Sequence, residues 1–335
     1  MSGYFLDKPH QIKVSITNIC NYKCVMCFNP TLKQARDLIK DHLMYSIMDQ
    51  CIEAGIGRIS IGGTGEPILH PRYVDYVVEA KRRGLWVSTT SNFSTMTKER
   101  ALKILDAGID RMNISIYSST PEEHREYTKT ELFEQSAENV KFFIRTARER
   151  GARTLINVYF LPLHGINSYD RYQEYWGPFL KEAGLDCVMK EEMNWAGLVK
   201  MGSTQAWGIE TNPFGKRELV HRNKIACPHL RTYLFILHDG TVLPCCNIPY
   251  SYGNAKIEFG NVRTERIMDI WKSSKYLLFK EEHERKNSNF PFCVKCSDLY
   301  MSRRVELSPR GAVDAVVRLT RKVTGANREA AADSL

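Results

Sequence analysis

Ile12-Lys13-Val14-Ser15-Ile16-Thr17-Asn18-Ile19-Cys20-Asn21-Tyr22-Lys23-Cys24-Val25-Met26-Cys27 is the stretch that decides how this chain folds. It opens as a short β-branched run, a strand signal, and passes directly into three cysteines spaced CxxxCxxC in the following loop. Three thiolates on one tight loop can hold three corners of a cubane iron–sulfur cluster and leave the fourth iron open, whereas a structural zinc site needs a fourth ligand. The adjoining polar residues are only Asn21, Lys23 and Asn29. The spacing therefore implies an open metal position that takes a ligand from outside the protein.

Working outward, similar runs recur at residues 12–17, 58–63, 85–92, 111–117, 154–161 and 185–191. Between them lie stretches with one apolar face at helical spacing, such as Leu43, Ile47, Cys51 and Ala54, or Ala137, Val140, Ile144 and Ala147. Pro178 is expected to break or restart the fifth of these helices. Six βα units predict an α/β fold, a partial TIM-like barrel with its chemistry at the carboxyl ends of the strands. In the fourth strand Met112, Ile114 and Ile116 alternate with Asn113, Ser115 and Tyr117, so the polar set, Ser115 included, should look into the barrel.

The chain has 335 residues, 43% hydrophobic and 25% charged, which excludes disorder, collagen-like and coiled-coil readings for its bulk. No apolar run approaches the roughly 18 residues of a membrane span, and the start lacks the blocks of a signal peptide, so the expected location is the cytoplasm. Ten cysteines, most of them clustered, then argue for metal ligation and not crosslinks. The net charge of +9 is spread without a basic run and is weak evidence for an anionic or nucleic-acid partner.

The cysteine loop, with Met26 before its last thiol, combines with Gly62-Gly63-Thr64-Gly65-Glu66-Pro67 at the end of the second strand, and together they resemble the radical S-adenosylmethionine superfamily over residues 12–194. The resemblance implies a [4Fe-4S] cluster on Cys20, Cys24 and Cys27 whose open iron chelates S-adenosyl-L-methionine (SAM), which on reduction yields a 5′-deoxyadenosyl radical. It places Gly62, Gly63, Gly65 and Glu66 at the methionine amino group, Ser115 and Asn92 at the ribose or carboxylate, and the Met26 backbone at adenine. An electron donor such as flavodoxin or ferredoxin is implied as a partner. Family members often follow the serine with Asp-Gly and a later arginine; here those slots hold Tyr117, Ser118 and Thr128.

Cys227, Cys245, Cys246, Cys293 and Cys296 bracket a predicted hairpin, residues 232–238 and 241–246 joined by Asp239-Gly240. Four thiolates complete either a cluster shell or a zinc ribbon, and the spacing alone leaves both open. Adjacent Cys245 and Cys246 point to opposite faces of a strand, so only one joins the shell. Residues 239–245, Phe259-Gly260-Asn261-Val262, Ile270-Trp271 and Cys293-Val294-Lys295-Cys296 are similar to the SPASM and shortened twitch domains of radical enzymes, which implies a second, auxiliary [4Fe-4S] cluster on Cys227, Cys245, Cys293 and Cys296. The expected division is an N-terminal segment 1–10, a barrel 11–195, a linker or lid 196–224, an auxiliary cluster domain 225–300 and a basic helical tail 301–335.

Cys51 reads as a buried, inert thiol. Cys187, on the sixth strand, and Cys246, left over by the two-face argument, are the candidate catalytic hydrogen donors, while Tyr159, His164, Glu191, Glu192, Asn194 and His221 are candidates for a polar pocket. The expected reaction is removal of a carbinol C–H hydrogen from a small polar molecule, a sugar or aminocyclitol of the aminoglycoside type, with epimerisation through a cysteine. Dehydrogenation to a ketone with the electron passed to the auxiliary cluster, radical modification of a ribosomal peptide, and a non-catalytic or RNA-directed four-cysteine metal protein are the alternatives, ranked in that order. Neither membrane nor nucleic acid is an expected partner.

Overall fold

The structure is a computed structural model that describes residues 6–33, 35–163, 165–190, 195, 227, 229–247, 251–252, 255–256, 258–284 and 293. The expected linker 196–224, the tail 301–335, Cys296 and the pocket candidates His164, Glu191, Glu192, Asn194 and His221 lie outside the described residues.

Six parallel strands form in the expected places: β1 (Gln11–Val14), β2 (Arg58–Ile61), β3 (Trp86–Ser91), β4 (Arg111–Ser115), β5 (Leu155–Phe160) and β6 (Cys187–Met189). β1, β2, β4 and β5 show the period-two burial that a pleated strand imposes: Ile12 and Val14, Ile59 and Ile61, Met112 and Ile114, Ile156 and Val158 all enter one apolar core. Against that face pack α1 (Asp41–Glu53), α2 (Tyr73–Arg82), α3 (Lys98–Asp106), α5 (Phe133–Glu149) and α6 (Tyr169–Glu182), while α4 (Pro121–Thr128) sets Tyr127 in a smaller cluster with Leu161 and Leu163. Side-chain caps from Thr97, Thr120 and Ser168 satisfy the first amides of α3, α4 and α6. Left-handed glycines turn the chain from helix to strand, Gly84 at φ +78° after α2 and Gly184 at φ +63° after α6.

One expectation is corrected here. The helix containing Pro178 neither breaks nor restarts: α6 runs straight through it. Pro178 is exposed, so the carbonyl it leaves without an amide partner faces water. The expected hairpin is present, α7 (His229–Thr232) leading into β7 (Tyr233–Ile236) and its antiparallel partner β8 (Thr241–Leu243). β7 pairs in parallel with β1, so the sheet runs on past the barrel edge to β8 and, beyond β9 (Ser251–Tyr252) and β10 (Ala255–Lys256), to β11 (Gly260–Asn261). The helices α8 (Ile267–Lys272) and α9 (Ser274–Glu284) follow and pack into the same core through Ile270, Trp271, Tyr276 and Phe279. No described helix is long and apolar enough to cross a membrane.

Candidate active site

The three thiols of Cys20, Cys24 and Cys27 sit in the loop after β1, and a dense set of hydrogen bonds fixes that loop. Asn29 Nδ2 donates to Asn18 O at 3.0 Å and to Thr64 O at 2.5 Å. Arg36 donates to Asn18 O at 2.6 Å and to Asn29 O at 3.0 Å. The amides of Lys23 and Val25 donate to Thr128 O and Tyr127 O at the end of α4, and Asn29 N points at Cys27 Sγ at 3.4 Å.

The glycine turn after β2 closes on this loop from the other side. A Cβ on Gly65 would collide with backbone atoms of Ile19, Thr17 and Asn18, and one on Gly63 would lie 2.7 Å from the Phe235 ring and 2.9 Å from Ser15 Cβ. Glycine at 65 is thus the condition for the two loops to touch, with Glu66 N donating to Ile19 O at 2.8 Å across the seam, and glycine at 63 lets the turn lie against Phe235 and Ser15.

Glu66 is 4% exposed, and its carboxylate accepts from Ile68 N at 3.1 Å and Asn92 N at 2.8 Å. Burial lifts its acid to about 7 against the pull of those amides. Asn92 in turn donates to Asn21 Oδ1 at 3.1 Å, so Gly62 to Glu66, Asn92 and the cysteine loop form one connected rim. Ser115 lies at the end of β4 beside Tyr117, which packs with Cys24 and Met26. The Met26 carbonyl accepts from Trp195 Nε1 at 2.7 Å, and the indole rests on Phe28 with ring centroids 4.8 Å apart. Sequence reading gave no sign of Trp195, which is separated from the loop by 168 residues.

Burial pushes the Cys20 thiol up to about 12 and raises Cys24 and Cys27 too, with Glu66 adding to the first and Arg36 opposing at Cys20 and Cys27. Thiols held in this way are protonated at neutral pH unless a metal displaces the proton. Three soft sulfur donors on a stapled loop, with a glycine cradle beside them, fit an iron–sulfur cluster. No set of three His, Cys, Asp or Glu among the described residues is gathered tightly enough for a single metal ion.

The second group divides at the turn after β8, where Cys245 and Cys246 point opposite ways beyond the strand's end at Leu243. Cys227, Cys245 and Cys293 border the core shared with Phe259, Ile270 and Tyr276, and the charges of Cys245 and Cys227 both bear on the Tyr276 phenol. His283, absent from the sequence argument, closes this set: its ring contacts Phe279 O at 2.9 Å and Cys293 Sγ at 3.1 Å. Cys246 faces the opposite way, into a cluster with Tyr233, Phe235, Leu237 and Leu243. Its Sγ receives Lys13 Nζ at 3.2 Å and lies 3.3 Å from Tyr233 OH. Burial raises this thiol, but Lys13, His229 and the Tyr233 hydroxyl outweigh it and draw it below its usual range.

Cys187 is not brought to this place. It shares register and side with Val158, packs on the helix core, and is bonded by Gln173 Nε2 of α6 at 3.1 Å. The catalytic role expected for it is withdrawn, because its sulfur points away from the concave face. Cys51 is fully buried on α1, as an inert core thiol would be.

Comparison with known proteins adds the following. Residues 14–171 match the model of the radical SAM superfamily, and residues 227–297 match an iron–sulfur cluster-binding domain, SPASM. The tungsten-containing aldehyde ferredoxin oxidoreductase cofactor-modifying protein of Pyrococcus furiosus is 26% identical over 320 residues, 85% of this chain and 86% of that protein. The probable GTP 3′,8-cyclase of Sulfurisphaera tokodaii is 26% identical over 190 residues, 56% of this chain and 58% of that protein. Among solved structures, BtrN in complex with AdoMet and 2-DOIA superposes with a TM-score of 0.55 at 17% identity, covering 89% of this chain and 94% of BtrN. Streptococcus suis SuiB bound to its precursor peptide SuiA superposes at 0.63 and 15% identity, covering 88% of this chain and 71% of SuiB.

Proposed function

From the premise that this chain carries a radical SAM domain followed by an iron–sulfur cluster-binding SPASM domain, we propose that it epimerises a small polar alcohol, sugar- or cyclitol-like, at a carbinol carbon. Cys20, Cys24 and Cys27 would hold the SAM-binding cluster; Cys227, Cys245, Cys293 and Cys296 would hold the auxiliary one. Bound there, the cluster and SAM supply a carbon radical able to take a hydrogen atom from an unactivated C–H bond.

The observation that carries the reading is the position of Cys246 Sγ, on the concave face between Lys13 Nζ and Tyr233 OH. A substrate carbon radical is planar, and an S–H placed across from the face of abstraction returns hydrogen with inversion. The sulfur radical then needs one electron, from an external low-potential reductant, and one proton, and both neighbours of Cys246 carry exchangeable protons. The Gly62 to Glu66 rim, locked to the cysteine loop, holds the other reactant in fixed relation to this thiol. Two relatives named for cofactor modification and GTP cyclisation favour a small-molecule substrate.

Turnover in heavy water tests it. The product should carry one deuterium at the inverted carbon, and Cys246→Ala should give ketone without label. Inverted product from Cys246→Ala, or ketone without label from the wild type, would refute the reading.

A further inference from the structure

The concave face of the sheet is basic. Helix-facing positions alternate with concave ones, and the concave set of β1 to β6 holds Lys13, Arg58 and Arg111, with Lys190 just beyond β6 stacking its ammonium 4.0 Å from the centre of the Tyr159 ring. Among the described residues no Asp or Glu occupies a concave position of these six strands.

Arg111 stands out within this set. Its guanidinium lies 5.1 Å over the Trp86 ring, its Nε is sealed from solvent with no hydrogen-bond partner, and it makes no ion pair among the described residues. Asn113, one pleat further along β4, is already engaged: its Oδ1 accepts from Tyr159 OH at 3.1 Å and from Asn157 Nδ2 at 2.9 Å. Burial raises the Tyr159 phenol, and the charges of Arg111 and Lys13 oppose that rise, so the fields of both cations bear on this side of the sheet. A sealed arginine donor left open on a face whose described strand positions carry no acid is suited to an oxyanion, which its planar fork matches.

We propose that this floor binds an anionic group of the substrate, a phosphate ester or a carboxylate, with Arg111 as the main hydrogen-bond donor and Lys13 and Lys190 adding to the field. The inference deepens and rests on the reading of the concave face as the seat of a small alcohol. It also narrows that reading, since an amine-bearing cyclitol would meet like charge from Arg111, Lys13 and Lys190 on this floor.

The test is calorimetric titration of the anaerobically reconstituted full chain, with SAM, by myo-inositol, myo-inositol 1-phosphate, quinate and streptamine. The same samples are assayed for deoxyadenosine after dithionite. At least one anion should bind about tenfold or more tightly than myo-inositol, streptamine should bind weakest, and the preferred anion identifies the group as phosphate or carboxylate. Arg111→Gln should erase that margin and Arg111→Lys should keep part of it; should Arg111→Gln not fold, Lys190→Gln should reduce the margin instead. Equal binding of myo-inositol and both anions, no binding of either anion, preference for streptamine, or an undiminished margin in the variants would overturn the proposal. Deoxyadenosine formed in such a case leaves the radical reading standing; its absence removes that reading separately.

Discussion

Gly65→Ala puts the seam between the cysteine loop and the glycine turn to a quantitative test. The new Cβ would press on Ile19 O and lie 2.7 Å from Thr17 O and 2.9 Å from Asn18 C, all backbone atoms that cannot rotate aside. Relief requires the two loops to part, which breaks the bond from Glu66 N to Ile19 O. Overpacking of this kind costs about 1–3 kcal/mol and the lost backbone bond about 1 kcal/mol more, so the expected loss is about 3 kcal/mol. At about 2.1 cal/mol/K of unfolding entropy per residue, a chain of 335 residues converts that to a fall in Tm of about 4 °C. Because the displaced loop carries Cys20, Cys24 and Cys27, iron per chain should fall from about eight to about four, leaving the auxiliary cluster. Gly57→Ala is the control: a Cβ there meets nothing within 4 Å, so Tm should hold or rise by about 1 °C with iron unchanged. Equal Tm and equal iron for wild type and Gly65→Ala would refute the claim that the two loops interlock.

Further predictions concern pH, the second spare thiol and the loop's arginine staple. His124 is 1% exposed among Tyr22, Tyr127 and Phe133, and burial lowers it to about 4 from an unfolded value near 6.5. Between those values the unfolded chain binds the extra proton, so stability is complete above about 6.5 and declines as pH falls toward 4, with a loss of about 2 kcal/mol at pH 5. The stability gap between wild type and His124→Phe should shift by about 2 kcal/mol between denaturant titrations at pH 7 and pH 5, a comparison that cancels the opposite trend of the buried Glu66 acid, which both proteins share; an unaltered gap would contradict the account. Cys187→Ala should leave deuterium incorporation as in the wild type, because its sulfur faces α6, and a switch to ketone would return the donor role to it. Arg36→Leu removes the bonds to Asn18 O and Asn29 O and should accelerate loss of the SAM-binding iron to a chelator, which iron release kinetics would show.

Much of the barrel was legible because its strands are short, β-branched and bounded by turns, and because the period-two burial of β1, β2, β4 and β5 needs no knowledge of their neighbours. α4 was not: Pro121–Thr128 is dominated by Glu122, Glu123, His124, Arg125 and Glu126, with no apolar stripe to betray it, and its local signals are confined to its start, the Thr120 cap, Pro121 and the acidic first turn. Pro178 misled because the rule against interior proline concerns buried carbonyls, and the one freed here is hydrated. The pairing of β7 with β1 joins residues more than 200 apart, and no local pattern encodes such a contact. At the site, the CxxxCxxC loop and the glycine turn stood out by spacing alone. Lys13 was accessible by its parity between Ile12 and Val14, but its meaning appears only when the fold sets Cys246 beside it. The concave or helix-facing side of Cys187 depended on the register of β6 against β5, which the sequence leaves open.

The most direct test of the central claim is to purify the full chain without oxygen, reconstitute it with iron and sulfide, add SAM and dithionite, and measure deoxyadenosine for the wild type and for a Cys20, Cys24 and Cys27 triple alanine variant. The account predicts deoxyadenosine and about eight irons per chain for the wild type, and no deoxyadenosine with about four irons for the variant. Deoxyadenosine from the triple variant, or none from a fully loaded wild type, would contradict it.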